Sequence, residues 1–491
     1  MQPNTPLFLQ AEKLIGNMGV SGFTRELIGN VVLTQGPVRI TCNRAMHYVE
    51  QNRADLFGNV VLTQGATTMK SAQGSYDGAA RIISGTGGVE LFDGKSKLVA
   101  RTGNYSTALK VARFFASVRI ENDSLIITSD SLEYHRASQN SYATGKVTAV
   151  GKFTSAYLQG DSLMNINADK YTRLSNYAGN GQAMVSQIDT VLLENSGESV
   201  SNERTSNERT SKKDEQKSEQ KNERRSDTTR IKSSKRLDTL CITGNVLEAF
   251  RKDSNELYIA TGSVQMTRRN LAGRAERGVY EKKLSRIRLY STTTATPVLW
   301  LDSTQLRGDS LWVQLRAKRL ERITAYTNAF AATKNDTSHQ ERIDQLSGEN
   351  IIIEADNDTI RVISAEGKAF NLYFAQSENE TTSVKEPDGA VKNAADTVRV
   401  LFERGELDNI VWRGKVEGEY IPETMVQKQL QTLRLKGFEW VENRPLLWRG
   451  MTQGVKQNAP QKAKQTALPN TVRNRTSKAK LPPQSTQKSS P

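Results

Sequence analysis

Apolar and polar residues alternate along this chain with a period of two, and the alternation itself recurs at a longer fixed period. Gly29-Asn30-Val31-Val32-Leu33-Thr34-Gln35-Gly36 returns as Gly58-Asn59-Val60-Val61-Leu62-Thr63-Gln64-Gly65, an offset of 29. Further steps of 29 fall on Gly87-Gly88-Val89, Ala116-Ser117-Val118 and Gly145-Lys146-Val147. The first column holds Val31, Val60, Val89, Val118 and Val147; two positions on come Leu33, Leu62, Leu91, Ile120 and Ala149. Between them lie Val32, Val61, Glu90, Arg119 and Thr148, a mixed column. Successive side chains of a strand point to opposite faces, so this pattern predicts strands with one buried and one wet face. The glycine two positions before four of these five valines marks a tight bend.

A second strand follows in each unit. Its marker is a tyrosine at a constant offset of 18 from the first position: Tyr76 from Gly58, Tyr105 from Gly87 and Tyr134 from Ala116. Tyr48 sits at an offset of 19 from Gly29. Each unit therefore reads as strand, turn, strand, turn, and a sixth runs through Ala168-Asp169-Lys170-Tyr171 to Val185. The period returns at Gly244-Asn245-Val246 and Gly262-Ser263-Val264, and Tyr280 keeps the same offset from Gly262. More strands are expected at 297–301, 310–315, 351–355, 359–365 and 398–402, and a polar loop at 376–396. The predicted fold is all-β: an elongated β-jellyroll or β-solenoid of stacked two-strand repeats of period 29, in two segments.

Composition refines this picture. The chain has 491 residues, a net charge of +15 and only 36% hydrophobic residues. Residues 196–236 carry 12 basic and 8 acidic side chains, and residues 451–491 carry 8 basic and no acidic ones. These two stretches supply +4 and +8 of the +15, leaving +3 for the rest, so no basic folded surface for nucleic acid is expected. Neither stretch has enough apolar area to order itself. The expected organisation is a repeat domain at 1–195, a disordered mixed-charge insertion at 196–237, a second strand-rich domain at 238–423, a short helical segment at 424–450 (Leu430, Leu433, Leu435, Phe438) and a disordered basic tail at 451–491.

Catalytic chemistry is not signalled. His47, His135 and His339 are far apart, and no nucleophile elbow, Walker loop or dinucleotide fingerprint occurs. Asp356-Asn357-Asp358 lacks the glycine and distal glutamate of a calcium loop. Cys42 and Cys241 make neither a disulfide framework nor a cysteine-rich metal site. No catalytic residue, metal or cofactor is expected. No apolar run is long enough for a transmembrane helix, and Met1 to Val20 shows no basic n-region of an export signal.

The repeated Gly-Asn-Val-x-Leu strands, Leu9-Gln10-Ala11-Glu12-Lys13-Leu14 and Ala168-Asp169-Lys170-Tyr171 resemble the OstA-like family, the LptA-type β-jellyroll proteins of lipopolysaccharide export. Gln305-Leu306-Arg307-Gly308-Asp309-Ser310-Leu311 and Asn328-Ala329-Phe330 resemble segments shared by its long Bacteroidetes members. The resemblance spans residues 7–195 and, more loosely, 238–422. It implies a periplasmic, outer-membrane-associated, non-catalytic carrier that binds the lipid A acyl chains of lipopolysaccharide in an apolar groove. It also implies partners: other export proteins joined end to end by strand pairing, or further copies of the chain, and no nucleic acid. Because such proteins are exported, it further implies a start annotated too late. The lipid-contact candidates are the inward columns, Val31, Leu33, Val60, Leu62, Val89, Leu91, Val118 and Ile120. Two other readings compete. In one, the apolar columns are merely the core of a structural β-solenoid of the envelope. In the other, the chain is a polysaccharide-acting enzyme on a β-helix scaffold, which would need acidic residues converging on one outward strand face.

Overall fold

In the computed structural model, the described residues form 29 strands in one continuous sheet in which every paired neighbour is antiparallel. The structure describes residues 6–446, apart from 20–21, 124, 153–155, 177–182, 194–233, 253, 292–294, 335–338 and 379–384. All of them lie in the compact unit Met1–Trp448. The basic tail and most of the mixed-charge insertion fall outside the described residues.

The long strands of the first half each span a little under half a repeat, and alternate ones carry a bend near their middle. In Arg53–Gln64, Phe57 pairs with Gln73 but Val60 pairs with Ser71, so one extra residue is accommodated between them. Gly58 and Asn59 occupy that place with φ of 74° and 50°. Two consecutive left-handed residues inside a strand make a bulge that turns the chain while its ladder continues on both sides. Asparagine is the non-glycine residue that tolerates this region best. The same corner recurs at Gly29-Asn30, Gly87-Gly88, Ala116-Ser117, Gly145-Lys146 and Gly262-Ser263. Stacked in register, the corners fold the sheet lengthwise into two facing half-sheets.

Gly244-Asn245 departs from this expectation. The strand Ser234–Gly244 ends there and Val246–Phe250 begins, with no left-handed pair. The later corners at Thr327-Asn328 and Gly367-Lys368 instead complete the series. The strands expected in the second half coincide with Val298–Leu301, one residue shorter than expected, or fall within Ser310–Arg316, Asp344–Asp356, Thr359–Glu378 and Lys385–Glu403. The polar loop expected at 376–396 is largely strand. Thr359–Glu378 and Lys385–Glu403 pair from Val362↔Leu401 out to Glu378↔Lys385, beyond the reach of their neighbours. Polar side chains misled the reading, because a two-stranded ribbon that leaves the sheet has no face to bury.

The helix is Glu423–Gln429, and Leu430, Leu433, Leu435 and Phe438 follow it in non-helical chain. These residues pack on Phe330, Ile343, Leu372 and Phe374, which cover the outer face of one half-sheet. The segment then runs back across the strands as a strap. Gln305 and Val441 exchange two hydrogen bonds of 2.8 and 3.0 Å, Arg307 reaches Glu439 and the Gly437 carbonyl, and Arg444 donates to the Asp302 carbonyl.

Candidate lipid-binding interior

The apolar columns converge on one core. Val31, Leu33, Val60, Leu62, Val89, Leu91, Val118 and Ile120 all belong to a single cluster, and none is more than 7% exposed. Glu90, between Val89 and Leu91, points the other way and pairs with Lys97 at 2.8 Å on the wet face. Two more columns of period 29 complete the interior. Leu27, Leu56, Phe114 and Ala143 lie on the far side of the corners, and Ile40, Met69, Leu98 and Ile127 stand opposite Leu33, Leu62, Leu91 and Ile120 on the neighbouring strands. Sequence reasoning passed over both, although the same period marks them. The core continues without a gap into the second half: Val264 ends the first cluster, Met266 opens the next, and Ile242 packs on both.

What closes this interior was not legible as a motif. Tyr76 donates to Gln35 Oε1 at 2.5 Å, Tyr105 to Gln64 Oε1 at 3.0 Å, and Tyr134 to Asp93 Oδ2 at 2.9 Å. Each pair is separated by 41 positions in the chain. The acceptors stand beside the turns at one edge of the folded sheet and the tyrosines beside the turns at the other. Gln35 and Gln64 also donate back, to the carbonyls of Gly78 and Thr107. Three rungs of side-chain bonds thus zip the two turn edges together and convert a folded sheet into a closed sleeve. Burial, first of all, raises the pKa of all three phenols, so they stay protonated donors.

The first member of the tyrosine column is His47 and not Tyr48. His47 stands at the offset of 18 from Gly29 and pairs with Ala54 as Tyr76 pairs with Ile83. The unit contains no extra residue; Tyr48 faces outward beside it. His47 is buried, and neither ring nitrogen has a hydrogen-bond partner among the described residues. Desolvation, and then the charge of Arg25 on the paired strand, lowers its pKa below 6.5. The unfolded chain therefore binds a proton more readily than the folded one, so stability falls as pH drops through the ordinary histidine range. We expect the urea midpoint to decrease on acidification from about pH 7 to below 6.5, and His47→Phe to remove that part of the decrease.

Cys42 and Cys241 are buried free thiols. Burial raises both, Cys241 to about 11, which makes neither a ready nucleophile. Among the described residues no group of three His, Cys, Asp or Glu is placed to hold a metal ion, and no helix is long and apolar enough to cross a membrane. Among the described residues, Phe8–Gln10 and Lys13–Gly19 each pair with only one neighbour, Gly22–Gln35, and carry exposed Phe8, Leu14 and Met18. At the other end, again among the described residues, Glu406–Arg413 and Glu417–Ile421 each pair only with Lys385–Glu403.

A corner-folded antiparallel sheet whose inward columns repeat around an apolar interior defines a β-jellyroll repeat protein. Residues 8–156 match the family model described as OstA-like protein. Among solved structures, the chain is similar to LptH of Pseudomonas aeruginosa, described as the LptA homologous periplasmic component of the conserved lipopolysaccharide transport device. The identity is 19%, the match covers 22% of this chain and 82% of that one, and the TM-score is 0.21. The comparison with curated proteins returns no match.

Proposed function

We propose that this protein is a non-catalytic carrier of lipopolysaccharide, which holds lipid A acyl chains in its apolar interior as one component of a periplasmic bridge to the outer membrane. One observation carries the reading: beside an OstA-like match over residues 8–156, the inward-facing residues stay apolar through two clusters, Leu27 to Val264 and Met266 to Val398, that meet at Ile242. Each buried methylene is worth about 0.8 kcal/mol, so exposing a chain of about a dozen carbons to water costs on the order of 10 kcal/mol. A carrier must shield such chains along the whole path, and a seam of valine and leucine lets them slide without fixed polar contacts. The open strands at both ends suit pairing with other export proteins or with further copies of the chain by strand addition. The periplasm, in association with the outer membrane, is the compartment this role requires.

The tight burial of the same columns favours a second reading, a structural solenoid with a sealed core. Site-specific photo-crosslinking in cells separates the two. A probe in place of Leu62 is expected to give a lipopolysaccharide adduct, and one in place of Glu90 none. A folded, exported protein that gives no adduct at position 62 leaves the solenoid reading standing and the carrier reading without support.

A further inference from the structure

The wet face of the second half carries arginines and aromatic rings that the apolar interior does not use. In Arg286–Tyr290, Ile287 and Leu289 point into the core, so Arg286, Arg288 and Tyr290 point outward. Arg277 on Leu271–Glu281 stands opposite Tyr290, and Trp312 on Ser310–Arg316 stands opposite Arg288. Tyr290 also faces Ser310, and Ser310 faces Tyr326 on Arg319–Thr333. The Arg286 guanidinium lies over the Trp312 ring at 4.5 Å and that of Arg288 at 5.8 Å, while Arg277 lies over Tyr290 at 5.8 Å. Trp312 meets Tyr326 edge to face at 5.1 Å. The three arginines are half-buried.

This cluster is short of negative charge. Glu281 accepts two hydrogen bonds from Arg286, of 3.0 and 2.8 Å, and one of 3.3 Å from Arg288. Arg277 has its ring contact but no carboxylate partner among the described residues, and the buried Nε of Arg277 and of Arg288 is unpaired there. A guanidinium carries five N–H donors, so most of those on these two arginines are unused. Arg277 and Arg288 are diagonal neighbours on paired strands, close enough for two long cationic side chains to repel. The ring contacts hold both forks in place without neutralising them. An anion between them relieves the repulsion and uses the donors. The cluster covers four strands and the outward positions 286 to 290, about 14 Å each way. That is on the order of 200 Å2, far below the roughly 800 Å2 that a protein partner buries on each side. Each of the four strands is paired on both sides, so no peptide strand can be added here. A phosphate accepts from two guanidinium forks at once. Beside it, Tyr290 and Tyr326 flank Ser310 and offer flat rings and hydroxyls to one sugar ring.

We propose that this outer face binds a phosphorylated sugar, with the phosphate held by Arg277 and Arg288 and the sugar ring over Ser310 between Tyr290 and Tyr326. The site lies on the opposite side of the sheet from the apolar interior and stands whether or not that interior carries lipid. A neutral sugar lacks the charge that the two forks select, and free phosphate lacks the ring contacts.

The test is calorimetric titration of the full chain with glucose 6-phosphate. Saturable binding is expected with a Kd of about 1 mM or tighter, and glucose and inorganic phosphate should each bind about tenfold more weakly or worse. Arg277→Gln and Arg288→Gln should each raise the Kd about tenfold, and Tyr326→Ala about fivefold, with circular dichroism unchanged. Two arginine variants guard against one of them misfolding. Arg44→Gln, at an outward arginine of the first half that pairs with Glu26 at 2.7 Å, should leave binding as it was. Inorganic phosphate or hexaglutamate that binds as tightly as glucose 6-phosphate overturns the sugar assignment. Binding that the folded arginine variants leave unchanged overturns the site, as does the lack of saturable binding up to about 10 mM. The carrier reading is judged separately, by the crosslink at position 62.

Discussion

Replacing Tyr105 by alanine is expected to lower the free energy of unfolding by about 4 kcal/mol, and replacing it by phenylalanine by only about 1. The ring is 1% exposed within the main core, so truncation removes its apolar area and leaves a cavity. Phenylalanine keeps the packing and removes only the hydroxyl that donates to Gln64. Equilibrium urea unfolding of the two variants measures both values. Because the rung also holds the turn edges together, Tyr105→Phe should bind lipid faster than the parent if cargo enters along the zipped seam. It should bind at the parent rate if entry lies at an end of the sheet. A Tyr105→Ala cost below about 2 kcal/mol, less than truncating a packed ring, would show that the edges are not held as described.

The second large effect is expected at the strap. Arg342 is almost wholly buried and makes two hydrogen bonds to Glu423, of 2.9 and 2.6 Å. Glu423→Ala takes both of these hydrogen bonds from a buried guanidinium, which costs about 3 kcal/mol. The strap should then loosen, and limited proteolysis should cut between residues 422 and 446 well before it does in the parent. Changing both partners to methionine should recover most of the loss, since a well-packed apolar pair of similar volume replaces a buried ion pair at little cost. Acid acts on the same contact. The hydrogen bonds from Arg342 hold the Glu423 carboxyl below its usual value of 4.5. The contribution is therefore complete above that value and is lost as pH falls through the folded one. Strap cleavage that is unaffected by Glu423→Ala would count against this account.

Repetition decided what could be read from sequence. Val31, Val60, Val89 and Val118 announce a strand face because the same physical demand is stated four times in register, and alternation supplies the inward direction. The tyrosine column was equally visible, but its purpose was not. Its partners Gln35, Gln64 and Asp93 also recur at 29, yet nothing in a linear chain says that positions 41 apart will meet across a folded sheet. His47 was missed in favour of Tyr48 because residue type was followed in place of spacing. The corner at Thr327-Asn328 carries no glycine to reveal it, and Gly244-Asn245 carries the signal without the conformation. The strap was partly legible: Leu430, Leu433 and Leu435 are apolar for burial, and their spacing suggested a helix where the strands beneath impose the pattern instead.

The offset of the rungs has a mechanical consequence. A rung that spans 41 positions on a repeat of 29 never closes within one unit; it always fastens a turn to the unit beyond. Neighbouring units are therefore coupled twice, through the backbone ladder and through the seam. In the language of one-dimensional lattices the interfacial energy is raised relative to the energy of each site. A single unit cannot melt alone without breaking the fastenings of two others. Under heat or tension the first half should come apart as a front advancing from a free end, with long stretches intact ahead of it.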